Sequence, residues 1–362
     1  MSSISVNTIT DASGGATTSI NGFTPSVSNM AGRNRIINGD MRIDQRNAGA
    51  EVNPVTNASY GSCDRLMYWT SQVSKFKAQQ NAGGVTPPQG FSNYVGLTSL
   101  SAYTLNSTDY FQIQQTIEGF NWADLNWGTA NAKIVTLSFW VRSSLTGTFG
   151  GSILSNGNDY IYPFSYTIPT ANTWVKIELT ITPPTSGTWG TTNNAGATLI
   201  FSIGHGSTRQ ATAGVWTTDS NIRTCTGQTS VVGTSGATFY ITGVQLEEGS
   251  VATPFEHRQY GQELALCQRY YWDAKLAGGG VPYLWATTIG TSLPYYRCNV
   301  YFPVAMRAAP TLTITAATNG TFQSGMPNTD TASITSVVVN CDLNQTSSAY
   351  AYVTSLKASA EL

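Results

Sequence analysis

The chain is poor in charge. Of its 362 residues only 10% are Asp, Glu, Lys or Arg, and 18 basic residues against 19 acidic ones leave a formal net charge of -1. An average soluble protein carries about 25% charged residues. A near-neutral chain gives no electrostatic footing for a nucleic-acid backbone or an anionic membrane surface, so neither is expected as a partner. Histidine is scarcer still, with two, His205 and His257. No H-E-x-x-H, phosphate-cradling Gly-rich loop, G-x-S-x-G elbow or metal-spaced Cys/His set occurs. His205 sits between glycines at the end of an apolar run and reads as a loop residue; His257 reads as structural. A glycan-cleaving enzyme needs two carboxylates about 5–10 Å apart. Asp40, Asp44, Asp64, Glu118, Asp124, Asp159 and Glu178 are available, but nothing in their order pairs them, and Glu247 and Glu248 point to opposite faces of one strand. No enzyme, catalytic residue, metal or cofactor is expected.

Cysteine is also sparse. Cys63, Cys225, Cys267, Cys298 and Cys341 are odd in number, scattered and without a C-x-x-C pair, which excludes a disulfide framework and points to buried free thiols. No apolar run approaches 18 residues, so no membrane insertion is expected. Met1-Ser-Ser-Ile-Ser-Val6 has neither the basic nor the apolar region of a secretory signal, and synthesis in a cytosol-like compartment is expected.

Small polar residues take the place of charge: 50 Thr, 36 Ser and 25 Asn make up about a third of the chain. They compete for backbone hydrogen bonds and disfavour helix interiors, whereas 41% apolar and 11% aromatic residues are ample for a core. An all-β protein with many turns follows. Residues 1–35 hold few large apolar side chains; Ile4, Val6, Ile9, Ile20 and Phe23 recur as an extended anchor that orders against a partner. Over 36–258, Val135–Val141 and Trp174–Ile181 alternate with period two, as do Phe111–Ile117, Ala197–Ile203 and Ala237–Leu246. One jelly-roll β-sandwich is expected there, with Trp140 and Trp174 in its core. Tyr260, Leu264, Cys267 and Tyr271 share one face of a short helix. Strand-like segments resume after Gly278-Gly-Gly280, giving a smaller C-terminal β domain over 259–362.

Several stretches resemble bacteriophage tail-fibre and virion surface proteins. Arg35-Ile-Ile-Asn-Gly-Asp-Met-Arg-Ile-Asp-Gln-Arg46 is similar to the opening strand of their jelly roll, and Phe239–Arg258 to its closing strand and exit. Glu263–Tyr271 resembles the helix that follows, Phe302–Pro310 a motif of their C-terminal domain, and Val6–Gly15 the start of many small phage fibres. The resemblance implies a virion structural protein, commonly a homotrimer, whose jelly roll is related in shape to carbohydrate-binding modules. It also brings a structural calcium between first and last strands into view, with Asp40 and Glu247 in such positions, but no Asp-x-Asp spacing accompanies them.

The functional expectation is a virion fibre, a tail fibre binding a host-surface polysaccharide. The alternative is a capsid decoration or head fibre docked by its N-terminus on other virion proteins. Sugar binding by a β-sandwich uses aromatic rings with amide and carboxylate partners. Tyr103, Tyr110 and Tyr160 lie in suitable turn-rich sequence. The foremost glycan-binding candidates are Asn121, Trp122, Asp124 and Trp127, with Trp189 and Trp216; the competing reading is that these rings close the ends of the sandwich. Trimerisation would add avidity.

Overall fold

The computed structural model describes residues 32–54, 57–274, 284–286, 297–319, 328–330, 332–340 and 349–362. The expected anchoring residues Ile4, Val6, Ile9, Ile20 and Phe23 lie outside them. The chain divides into two compact units. One runs to Arg42 and again from Gly49 to His257; the other holds Ile43–Ala48 and Arg258–Leu362. Residues 43–48 therefore group with the C-terminal unit rather than with the sequence around them.

The first unit is a jelly-roll sandwich of two antiparallel sheets. Its strands are β1 (Asn57–Tyr60), β2 (Met67–Thr70), β3 (Phe76–Gln80), β4 (Val95–Ser99), β5 (Tyr110–Glu118), β6 (Val135–Ser143), β7 (Gly147–Ser155), β8 (Ile161–Ile168), β9 (Val175–Ile181), β10 (Ala195–His205), β11 (Gln210–Ala211), β12 (Thr224–Cys225) and β13 (Thr238–Glu248). One sheet has the order β1-β2-β5-β10-β7-β8, the other β3-β4-β13-β6-β9, and β11 and β12 form a separate parallel pair. Strand alternation does what the sequence predicts: Val135, Leu137, Phe139 and Val141 of β6 and Leu199, Phe201 and Ile203 of β10 point into one core. The ring of Phe139 lies 5.0 Å from those of both Tyr166 and Phe201 on the facing sheet, so the two inner faces interdigitate.

Three expectations need correction. Trp140 is not core: in β6 it alternates with the inward residues, and it is half-buried on the outer face, in register with Thr242 and Lys176. Trp174 is likewise half-buried outside the main core, its Nε1 donating to the Thr86 carbonyl at 2.9 Å and its ring 5.6 Å from Tyr94. The segment from Arg35 does not form a strand. It runs beside β13, with Arg35 N donating to Leu246 O and Val244 N to Gly39 O, both at 2.9 Å. Left-handed residues at Asn38 and Met41, with φ of 59° and 57°, turn it out of any regular ladder. Asn34 ties the two together, donating to Val244 O at 3.0 Å and accepting from Leu246 N at 3.1 Å.

In the second unit α1 spans Tyr260–Gln268. Glu263 and Cys267 face inward, while Tyr260 is 57% exposed. Tyr271 has already left the helix to open β14 (Tyr271–Asp273), so the apolar face expected from the spacing is offset. Strands β15 (Leu284–Ala286), β16 (Arg297–Tyr301), β17 (Thr311–Asn319), β18 (Asn328–Thr329), β19 (Ser336–Asn340) and β20 (Ala349–Ser359) follow. The pairs β14–β20, β15–β20 and β17–β20 form one sheet and β16-β19-β18 another. Their core includes Phe302, Met306, Val337, Val339 and Leu356. Arg46 joins this unit: its guanidinium stacks 3.5 Å from the centre of the Tyr271 ring and its Nη2 meets Glu361 at 2.8 Å. Cys63, Cys225 and Cys267 are buried thiols outside any disulfide.

Candidate functional site

The expected aromatic sugar platform is mostly internal. Trp122, Trp127 and Trp189 are 1%, 5% and 8% exposed, so their ring faces are closed to a sugar. They pack on one another with centroid distances of 4.8 to 5.9 Å, and Trp216 closes the cluster 5.6 Å from Trp127. The indole N–H groups of Trp127, Trp189 and Trp216 donate to the carbonyls of Lys133, Ser186 and Thr182. Bulky rings at turn-rich positions thus plug the sandwich end; of the four only Trp216 keeps partial exposure. Asp124 forms a two-pronged ion pair with Arg35, at 2.8 and 2.6 Å, and Arg35 also donates to the Asn121 carbonyl at 3.2 Å. Asn121 and Asp124 therefore hold the opening segment. Tyr103 donates to Asp109 at 2.9 Å and Tyr160 packs beside Trp216.

The other polar candidates are likewise occupied. Glu247 accepts from Thr253 N and Oγ1 at 2.8 and 2.6 Å and from Gln245 at 2.8 Å, and Asp40 pairs with Arg42 at 2.9 Å. Among the described residues no group of three or more His, Cys, Asp or Glu is placed to hold a metal ion.

A different site opens on the outer face of the six-stranded sheet. A cleft of about 150 Å³ is lined by Trp69, Tyr110, Gln112, Arg209 and Arg223. Strand register builds it: Trp69 of β2 and Ser202 of β10 both lie opposite Gln112 of β5, so the three side chains form a row on one face. Trp69 and Tyr110 meet edge to face at 5.8 Å, both half-buried. Beneath them runs a buried polar chain. Gln112 donates to Gln114 at 2.5 Å, the Gln112 carbonyl meets His205 Nε2 at 2.9 Å, and His205 Nδ1 meets Ser202 Oγ at 2.6 Å. The Gln112 carbonyl can only accept, so His205 donates from Nε2, and in the neutral ring Nδ1 accepts from Ser202 Oγ. Its pKa is lowered to about 3, by burial first and then by the charges of Arg223 and Arg209. His205 is therefore not a loop residue: it ends β10, 1% exposed, under the cleft.

The wall comes from the loop after β10. Ile222 packs on Leu154, Ile161 and Ile200 of the outer sheet face. Ser152 Oγ holds the Arg223 carbonyl at 2.8 Å, and Arg223 N donates to Arg209 O at 2.9 Å. Gly206 begins this loop where a Cβ would lie 2.1 Å from the Asn106 carbonyl, so only glycine fits. Arg209 stands 5.5 Å from the centre of the Tyr110 ring, within cation–π range. The loop before β5 is pinned by Asp109, which accepts from Asn106 N, Ser71 and Tyr103 at 2.7, 2.9 and 2.9 Å. Burial works against the Asp109 charge, yet those hydrogen bonds outweigh it and leave its pKa lowered.

A second cleft of about 250 Å³ lies on the outer face of the other sheet, lined by Phe91, Trp140, Lys176, Phe255 and His257 among others. A bulge in β13 between Thr242 and Gln245 carries Gly243 at φ 62°, where a Cβ would sit 2.6 Å from Phe91. Gly243→Ala is expected to lower the unfolding free energy by about 1–2 kcal/mol from the left-handed backbone alone, measured by urea denaturation; an unchanged midpoint would contradict the geometry. This cleft has aromatic walls and is also lined by Ser138 and Thr253, the latter hydrogen-bonded to the buried Glu247.

No family model matches the chain, and no curated protein matches it. Among solved structures it is similar to the enzymatically active domain of bacteriophage CBA120 tailspike protein 4, at 13% identity over 59% of this chain and 21% of that one, with a TM-score of 0.30. It is also similar to CBM4, at 16% identity over 58% of this chain and 97% of that one, TM-score 0.31. A third is the family 11 carbohydrate-binding module from Clostridium thermocellum in complex with a β-1,3-1,4-mixed-linked tetrasaccharide, at 9% identity over 56% of this chain and 98% of that one, TM-score 0.28. The chain spans about a fifth of the tailspike domain's length.

Proposed function

We propose that this protein is a glycan-binding virion surface fibre, and that the Trp69–Tyr110 cleft holds the sugar. The observation that carries the reading is the cleft itself: two half-buried rings stand beside two guanidinium groups over a hydrogen-bonded polar floor. Such a site supplies both things a pyranose needs, a ring face for its C–H groups and fixed partners for its hydroxyls. Among the described residues the cleft lining has no carboxylate, which favours binding over glycoside cleavage. The virion setting, the homotrimer and docking on other virion proteins rest on the sequence motifs from Arg35 to Arg46 and from Phe239 to Arg258. Binding to a host-surface polysaccharide is the role these two lines of argument share.

The test is a glycan array with the purified chain, followed by titration of the best binders. Trp69→Ala is expected to weaken binding about five- to tenfold, a stacked ring contributing about 1–1.4 kcal/mol. Its melting temperature should stay near that of the parent, because Trp69 is half-buried. An array with no binder would overturn the reading. For the setting, an antibody against residues 259–362 imaged on intact particles should label the tail; label over the capsid would favour a decoration protein instead.

A further inference from the structure

We infer that the sugar held in this cleft is acidic, a pyranose whose carboxylate is gripped by Arg209 and Arg223. The inference rests on the glycan reading above and names its ligand class. Both arginines belong to one loop, and the parallel pairing of Gln210 with Thr224 sets their chains side by side, so both guanidiniums enter the cleft wall together.

Their hydrogen bonding is incomplete. Arg223 uses Nη1 on the carbonyls of Ser220 and Ile222, at 2.7 and 2.6 Å. Arg209 uses Nε on Thr108 O at 3.2 Å and Nη1 on Asn221 at 3.3 Å. A guanidinium carries five N–H donors in a planar fork. Nε and Nη2 of Arg223 and Nη2 of Arg209 have no protein acceptor among the described residues. Neither side chain has a carboxylate within ion-pair distance among them; Asp219 acts on Arg223 only through a longer-range attraction.

Two cations thus share one small cleft above a neutral floor of Gln112, His205 and Ser202. Burial first, and then the charge of Arg209, lower the Arg223 pKa to about 10, with Asp219 opposing. Both arginines remain charged at neutral pH. A neutral sugar would leave their repulsion in place, whereas a carboxylate offers two oxygens to the unused forks and relieves it. The sugar ring then lies toward Trp69 and Tyr110.

The experiment is calorimetric titration of the full chain with oligogalacturonate, oligomannuronate, hyaluronan oligosaccharide and sialyllactose, each beside its carboxyl methyl ester and a neutral hexose oligomer. At least one acid is expected to bind tenfold or more tighter than its ester, with affinity falling as salt rises from 50 to 500 mM. Arg209→Gln and Arg223→Gln should each erase about tenfold of that preference, while Trp69→Ala weakens acid and ester alike. Because Arg223 also braces its own loop, Arg223→Lys and the salt dependence of the parent provide readouts that a folding defect does not mimic. Equal binding of acid and ester overturns the inference and leaves the glycan reading standing. Failure of every acid overturns it too, and the neutral oligomer then shows whether glycan binding falls with it.

Discussion

Replacing Trp122 by alanine is expected to lower the unfolding free energy by about 3–5 kcal/mol, the usual cost of emptying a buried large aromatic site. Trp122 is 1% exposed and touches the rings of both Trp127 and Trp189. Gly196 packs so closely behind it that a Cβ there would lie 2.7 Å from the Trp122 Cβ. The backbone around the site is thus committed to this side chain and has little room to collapse into the void. Trp122 Nε1 has no hydrogen-bond partner among the described residues, so Trp122→Phe removes volume without orphaning a carbonyl and should cost markedly less. Trp127→Phe, by contrast, strips the Lys133 carbonyl of its donor at 2.8 Å and adds about 1–3 kcal/mol on that account. Chemical denaturation of the three variants checks the order. If Trp122→Ala kept parental stability and lost only sugar binding, the tryptophan cluster would be a binding surface after all.

The same cluster shows where sequence reading succeeds and where it stops. Alternation in Val135–Val141 reports burial directly, because a strand offers only two faces, and the inward residues are those of the pattern. Reading Trp140 as an inward-phased position fails because its parity, even where Val135, Leu137, Phe139 and Val141 are odd, places it on the outer face. The rings of the Asn121–Trp127 segment carry no parity, since they sit in turns beside two short 3-10 helices; polar neighbours then imply exposure, although the loop folds inward. Of the cleft lining, Tyr110 was legible as an aromatic in turn-rich sequence. Trp69, Gln112, Arg209 and Arg223 were not, because they converge only through the register of β2, β5 and β10 and through a loop that folds back over the sheet. The one available signal was the pair of arginines flanking a Thr-containing, turn-rich stretch in a chain otherwise so short of charge.

Acid should unfold this protein through His205, and the sign follows from the cleft's electrostatics. Folded, the imidazole has a pKa of about 3; in the unfolded chain it returns to the ordinary histidine value of 6.5. Between those values the unfolded state binds the extra proton, so stability falls as pH drops from about 6.5 toward 3 and is fully present above that window. Each pH unit inside it is worth about 1.4 kcal/mol, which predicts a loss on the order of 2–3 kcal/mol between pH 6.5 and 4.5. Asp109, whose pKa is lowered below 3.8, loses its contribution only at still lower pH, so this upper range isolates the histidine. Urea denaturation at half-unit steps should show the slope in the parent and in His257→Gln, where the exposed histidine is removed. His205→Gln should be less stable at pH 7 yet nearly flat from 6.5 to 4.5. A parent that is flat over that range, or a His205→Gln variant that keeps the slope, would place the acid sensitivity elsewhere. A bound acidic sugar adds a second expectation. Its carboxylate would offset the Arg209 and Arg223 charges that help hold His205 neutral, so saturating ligand should shift the onset of acid unfolding to lower pH, and a neutral sugar that binds the same cleft should do so less.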